Sequence, residues 1–250
     1  MKLVAIVQAR LSSSRLPGKV LLPLGGKPVL KHIFERLQRC IGIDIAIVAT
    51  SIEKSDDPIA EWAEFEKIDC YRGSLNDVLE RYYEAALKYK AQAILRITGD
   101  CPLIDPDTIS ELIYKFKSSN KDAYCLAGEF PDGLDCQIFS FSAIEKAHIN
   151  ARLTSEREHV GPYIEKNKDL FRIGLYKKFK GLSHHRWTLD EEKDYEFLRK
   201  IFDNLYFKNN HFNVLDLLTF LDSNPDIFNI NRNIQRNEGY IKSLNEDSFI

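Results

Sequence analysis

The stretch Leu3-Val4-Ala5-Ile6-Val7-Gln8-Ala9-Arg10-Leu11-Ser12-Ser13-Ser14-Arg15-Leu16-Pro17-Gly18-Lys19 joins an unbroken apolar run to a polar, basic loop. A run without alternation suits a strand buried on both faces, the kind found inside a parallel sheet. Directly behind it stand three cations (Arg10, Arg15, Lys19), three serine hydroxyls and several exposable backbone N–H groups. A triphosphate needs that combination: N–H groups and hydroxyls to hold its oxygens, and fixed cations to neutralise charge as pyrophosphate departs. The spacing is neither G-x-x-x-x-G-K-[S/T] nor G-x-G-x-x-G. On spacing alone, a solvated basic turn explains the same residues.

Outward from this segment, strands and helices alternate. After Gly25-Gly26, the residues Val29, Leu30, Ile33, Phe34 and Leu37 fall on one helical face, with Pro28 suited to a first turn. Residues 44–50 predict a second buried strand, and Asp57-Pro58 opens a helix to about residue 65. A short strand near 68–71 leads through Gly73-Ser74 to a helix over 76–89, followed by a strand over 92–98 and a helix from Asp105-Pro106 to about residue 116. This rhythm predicts an α/β fold with a Rossmann-like, mainly parallel sheet, right-handed crossovers and helices on both faces. Ligands bind such sheets at the carboxyl ends of the strands, so the loops after Ala9, Thr50, Tyr71 and Thr98 should face one site.

The rhythm breaks after about residue 121. Short extended pieces near 122–127 and 135–139 precede two helices, with capping-box signals at Ser142/Glu145 and Ser155/Glu158. Residues 171–177 alternate like an exposed strand, Arg186–Asp190 reads as a strand ending in an acid, and a helix follows over 192–202. A helix near 214–221 lies in a tail rich in asparagine, whose last residues should be loose. The expected organisation is a main domain over 1–205, with 122–180 as a small dimerisation and substrate subdomain, and a helical extension over 206–250. The apolar Ile138, Phe139, Phe141 and Ile144 suggest that 122–180 supplies much of a homodimer interface.

Composition narrows the setting. The 250 residues suffice for one large core without disulfide staples. A formal charge of −2 gives no bulk attraction for nucleic acid, so any anion site must be built locally. Cys40, Cys70, Cys101, Cys125 and Cys136 show no CxxC spacing, which argues against zinc or a disulfide framework and for a reduced, cytoplasmic compartment. The opening apolar run is too short for a signal peptide, and no run approaches a membrane span.

The string A-R-x-x-S-x-R-L-P-G-K, read at Ala9, Arg10, Ser13 and Arg15 to Lys19, resembles the signature of the acidic-sugar cytidylyltransferases, which activate 3-deoxy-manno-octulosonate and acylneuraminates with CMP. Gly26-Lys27-Pro28 with His32 resembles their next motif. The branch of the spore coat polysaccharide biosynthesis protein F is echoed by Gly73-Ser74-x-Asn76-Asp77-Val78-Leu79 with Arg81-Tyr82-Tyr83, by Thr98-Gly99-Asp100-Cys101-Pro102, and by Glu156-Arg157-Glu158-His159-Val160. The resemblance spans about residues 3–200. It implies a nucleotide-diphospho-sugar transferase type of fold, CTP as donor, magnesium as cofactor, a small acidic sugar-like acceptor, and pairing into dimers.

Individual residues follow from both lines. Asp100 lies just past a buried strand beside Gly99, a placement that suits a hard cation; a turn or helix-capping aspartate is the plainer reading. The resemblance implies Asp190 as a second magnesium ligand, although the Thr-Pro usual after that acid is absent here, where Glu191-Glu192 stand instead. Asp194 reads as a solvated helix residue. Arg10, Lys19 and Asp100 are the expected catalytic groups; Gln8, Ala9, Arg10, Ser13, Arg15, Lys19, Asn76, Asp77 and Gly99 are expected on the nucleotide. Asn76-Asp77 before a helix fits a cap as well as a base reader. Asp135, Gln137, Glu156, Arg157 and His159 are expected on the acceptor side, where a capped helix with exposed charges explains the later residues equally. The adjacent His184 and His185 cannot share a helical face and are not read as a metal site. A nucleotide-sugar glycosyltransferase of similar fold, or a non-catalytic nucleotide-binding protein, are the alternatives; release of pyrophosphate separates the first of these, and metal-independent CTP binding without turnover would favour the second.

Overall fold

A computed structural model describes residues 1–249. Strand β1 (Leu3–Gln8) lies inside a seven-stranded sheet, paired on both sides. A loop and a single 3-10 turn (Lys19–Leu21) lead to a two-residue hairpin, β2 (Pro23–Leu24) and β3 (Lys27–Pro28), then to α1 (Val29–Leu37). There follow β4 (Ile45–Ser51), α2 (Asp57–Phe65), β5 (Asp69–Gly73), α3 (Val78–Lys88), β6 (Ala93–Thr98) and α4 (Pro106–Lys117). The second half supplies β7 (Ala123–Leu126), β8 (Gln137–Ser140), α5 (Phe141–Asn150), α6 (Thr154–His159), α7 (Pro162–Lys166) and β9 (Ile173–Tyr176). Helices α8 (Glu192–Ile201), α9 (Val214–Asp222), α10 (Pro225–Phe228) and α11 (Glu238–Asn245) complete the chain.

The sheet order is β5-β4-β1-β6-β8-β7-β9. Strands β5, β4, β1 and β6 are parallel neighbours; β8 is antiparallel to β6 and β7, and β9 returns to parallel pairing with β7. Leu3 to Val7 are all completely buried, which is why that run needs no polar alternation. Two apolar layers result. One packs α1, α4 and α8 on one face through Leu30, Ile33, Leu112 and Phe197; the other packs α3 and α5 on the opposite face through Leu79, Tyr82, Ile144 and Ala147. Residues 122–180 thus extend the main sheet as well as adding three helices. In register, Gln8 lies opposite both Ala49 and Thr98, so β1, β4 and β6 end side by side.

Several local expectations shift. Ile138, Phe139 and Ile144 are fully buried in the chain's own core, and Phe141 packs against Tyr83, so these four residues are used within the subunit. The first helix of that region is capped by Ser140, which accepts from Ala143 N at 3.1 Å, and not by Ser142. The next begins at Leu153, whose N–H and that of Arg152 are taken by Glu156, while Ser155 sits inside it. Arg186–Asp190 makes one isolated bridge, Asp132 to Arg186, rather than a sheet strand. Asp194 is fully buried: its carboxylate accepts from Arg186, Asn231 and the backbone N–H groups of Asp190 and Glu191. No helix among the described residues is long and apolar enough to cross a membrane.

Candidate active site

The aligned strand ends open on a cleft of about 950 Å³. Its floor begins where β1 stops. Ala9 N donates to Ala49 O, and Leu11 N donates to the buried carboxylate of Asp56 at 2.7 Å, so the basic loop is tied to the end of β4. The loop turns at Gly18, whose φ of 73° is left-handed and whose N–H returns to Leu11 O. This folding delivers Lys19 to the cleft only 9% exposed.

Lys19 Nζ lies 2.6 Å from Asp100 Oδ2 and 2.7 Å from Asp190 Oδ1. The two aspartates are 90 positions apart in sequence and meet on one ammonium. Asp100 follows β6; Asp190 is presented by an extended segment whose Leu189 N–H donates to Asp100 O at 2.8 Å. Burial disfavours the Asp100 carboxylate, but Lys19 more than offsets it and holds its pKa down at about 2. Burial likewise works against the Lys19 ammonium, and the two carboxylates overcome it and raise its pKa. Gly99 permits the tight approach of the neighbouring strand end, since a Cβ there would sit 2.8 Å from Gln8 O.

Above this floor the cleft is ringed by arginines. Arg15 lies 3.3 Å from Asp190, 3.8 Å from Glu191 and 2.8 Å from Glu238. Arg10 is half-exposed, 3.8 Å from Glu158. Arg81 is almost wholly buried, yet its Nε and Nη1 have no hydrogen-bond partner. Arg96 donates to Gln137 Oε1 at 3.2 Å and also leaves Nε unpaired. Buried guanidinium groups without counter-ions strongly favour an incoming anion or carbonyl acceptor. Asp132 lines the same cleft; burial and nearby Asp135 push its pKa up to about 6 against the pull of Arg186.

Gln8, Ala9, Arg10, Ser13, Arg15, Lys19, Gly99, Asp100, His159 and Asp190 are therefore gathered in one place. Other residues singled out in the sequence lie elsewhere. Asp77 caps α3 by accepting from Glu80 N and forms an ion pair with Arg157, which also donates to His148 O. Asn76 lines a smaller side recess of about 450 Å³ that shares Arg81 with the cleft. Gln137 donates to Glu165, Glu156 caps α6, and Asp135 accepts from Gly133 N and pairs with Arg236. In the sequence Arg81 figures only within the Arg81-Tyr82-Tyr83 motif and Asp132 only within the acceptor-side stretch 131–137, neither with a role of its own, and Arg96 carries no signal. For Arg81 the available signal was a charged residue on the apolar face of α3, between Leu79 and Tyr82 in the 78–88 helix.

A family model described as Cytidylyltransferase matches residues 4–217. This chain belongs to the cytidylyltransferase family, and it is an enzyme of that class. It is similar to a cytidylyltransferase from Leptospira borgpetersenii, with a TM-score of 0.87 and 35% identity over 94% of this chain and 98% of the other. The spore coat polysaccharide biosynthesis protein SpsF of Bacillus subtilis is 29% identical over 88% of this chain and 94% of its own length. A CMP:2-keto-3-deoxy-manno-octonic acid synthetase solved in complex with CTP shares the fold, at a TM-score of 0.62 and 17% identity over 80% of this chain and 98% of its own.

Proposed function

We propose that the enzyme transfers CMP from CTP to a small acidic sugar and releases pyrophosphate, as a step in making a surface polysaccharide or glycoconjugate. The observation that carries this reading is the Asp100–Lys19–Asp190 bridge at the foot of an arginine-ringed cleft. Two carboxylates that converge on one cation fit magnesium, which takes one or two protein oxygens and completes its shell with phosphate oxygens and water. No cluster of three or more acidic, histidine or cysteine ligands exists among the described residues, so the arrangement suits a cation that arrives with the nucleotide. When bound, magnesium would supply Lewis-acid polarisation at the α-phosphate, with Asp100 and Asp190 as its protein ligands.

The chain's own residues do the remainder. The acceptor hydroxyl oxygen attacks the α-phosphorus, the bond to the bridging oxygen of the β-phosphate breaks, and the hydroxyl proton passes to solvent. Arg10, Arg15 and Lys19 surround the position where charge builds on the departing pyrophosphate, which makes positioning and electrostatics the main catalytic terms. His159, Glu158 and Arg96 form the far side of the cleft, where a hydroxylated anionic acceptor finds donors and acceptors.

A dimer is part of the same reading. Edge strand β9 leaves Leu175 58% exposed, and Leu170 just before it is also exposed, so this edge of the sheet offers apolar surface to a second copy. The test of function is pyrophosphate release from CTP, UTP, ATP and GTP against a panel of acidic sugars, with the product mass recorded. CTP-dependent release with a CMP–sugar product supports the proposal. Release of a nucleoside diphosphate from a nucleotide sugar, or no turnover with any pair, sinks it.

A further inference from the structure

The last helix closes the cleft from above. Helix α11 contributes no buried residue, and Ile241 and Leu244 remain 40% and 39% exposed, so apolar burial does not explain why it lies where it does. Its attachments are polar, and they fall on the site. Glu238 pairs with Arg15 at 2.8 Å; Ser243 Oγ donates to Glu158 at 2.7 Å and lies 3.0 Å from His159 Nε2; Tyr240 meets the His159 ring edge-on at 4.9 Å. Both ends are pinned outside the cleft. Before the helix, Arg236 donates to Phe130 O at 2.8 Å; after it, Asp247 accepts from Thr154 and Ser155.

We propose that α11 is a displaceable wall of the active site, in which Glu238 occupies the Arg15 guanidinium until the phosphates of the nucleotide take it. The inference rests on the reading that Arg15 binds the triphosphate. A carboxylate at 2.8 Å and a phosphate oxygen are the same kind of partner for a guanidinium, so the two compete for one cation. With that pair lost, Ser243 and Asp247 still hold the far end and Arg236 still holds the chain before the helix, so the movement is confined to the first turn between them, over residues 238–241. Asn237 has a left-handed φ of 58°, which marks a local turn where such a movement can be absorbed.

The experiment uses the full chain and inorganic pyrophosphate, then CTP with magnesium, as probes. Glu238→Gln should bind pyrophosphate about two- to fivefold more tightly than the parent chain by calorimetry, a size set by the modest strength of half-exposed ion pairs. In the Arg15→Ala background the same substitution should change nothing, which a merely structural role for Glu238 would not produce. Hydrogen exchange at residues 238–241 should speed up when pyrophosphate binds. Unchanged or weaker binding by Glu238→Gln, slowed exchange in that segment, or no pyrophosphate binding at all overturns the proposal. A chain that shows the predicted binding but releases no pyrophosphate from CTP with any acidic sugar keeps the displaceable wall and loses the acceptor assignment.

Discussion

Replacing Lys19 by methionine keeps an unbranched side chain only one heavy atom shorter and deletes its charge. In the native site that charge sits 2.6 and 2.7 Å from two carboxylates. Breaking a fully buried ion pair by removing one partner costs about 3–5 kcal/mol. The Asp100 and Asp190 side chains retain 24% and 22% exposure, so water relieves part of that penalty. One of them can also take a proton, as paired carboxylates do; a net loss of roughly 2–3 kcal/mol at pH 7 is expected after these reliefs. The relief by protonation has a direction. Asp100, held at about 2 by Lys19, should titrate at a higher pH in the variant, so the difference from the parent should shrink from pH 7 to pH 4.5. Urea denaturation without divalent ions, at both pH values and with m compared, measures it. Added magnesium should recover stability in the variant more than in the parent, because the carboxylates then face each other unneutralised. Turnover should fall on the order of a hundred- to a thousandfold, the scale of losing one strong electrostatic contact to a departing anion. A folded variant with the parent's midpoint at pH 7 and the parent's rate of pyrophosphate release would refute both halves of this reasoning.

Other expectations follow from the packing. His32 is buried between Phe202 and Tyr206 and hydrogen-bonds Leu24 O, and burial lowers its pKa to about 4. The unfolded chain therefore binds more protons between about pH 6.5 and 4, so this contribution is intact above 6.5 and is lost as pH falls toward 4, by up to about 3 kcal/mol. His185 is lowered to about 4 in the same way, so His32→Gln should flatten only part of the slope of stability against pH. Gly133→Ala places a Cβ 2.6 Å from Thr188 N at a φ of 100°, and should cost roughly 2–3 kcal/mol in chemical denaturation, with the damage centred on the segment that carries Asp190. The solution mass should be twice 28.9 kDa at micromolar concentration, and a charged substitution at Leu175 should halve it; an unaltered monomer in both chains removes the dimer from the proposal.

The parts of the fold written in local periodicity were readable in advance. Strands β1, β4 and β6, the helices between them and the meeting of the loops after β1 and β6 at one cleft come from unbroken apolar runs, helical spacing and proline-marked starts, all of which act within a dozen residues; the loops after β4 and β5, expected at the same site, line the smaller recess instead. What escaped depended on partners distant in sequence. Asp194 looks like any acid in a charged helix start, and only the return of the chain brings Arg186 and Asn231 onto it. Ile138, Phe139 and Ile144 look like surplus apolar surface until β8 is seen between β6 and β7 with α5 folded over it. Arg157 suggested an anion partner and found one in Asp77, 80 positions earlier. The basic loop after β1 is legible as chemistry, whereas the roof over it is not, because α11 has almost no apolar pattern directed at the body.

Asn231 gives the last part of the chain a mechanical role in the candidate site. Its amide donates at 3.0 Å to Arg186 O and at 2.9 Å to Asp194, the carboxylate that in turn fixes the backbone of Asp190. The stretch that matches the family model ends at residue 217, fourteen positions before this donor. A module excised at that border would carry every residue of the basic loop and both aspartates, yet lack a brace behind one of them. Exchange of the tail between relatives, by recombination or by design, is therefore constrained by the geometry of Asp190.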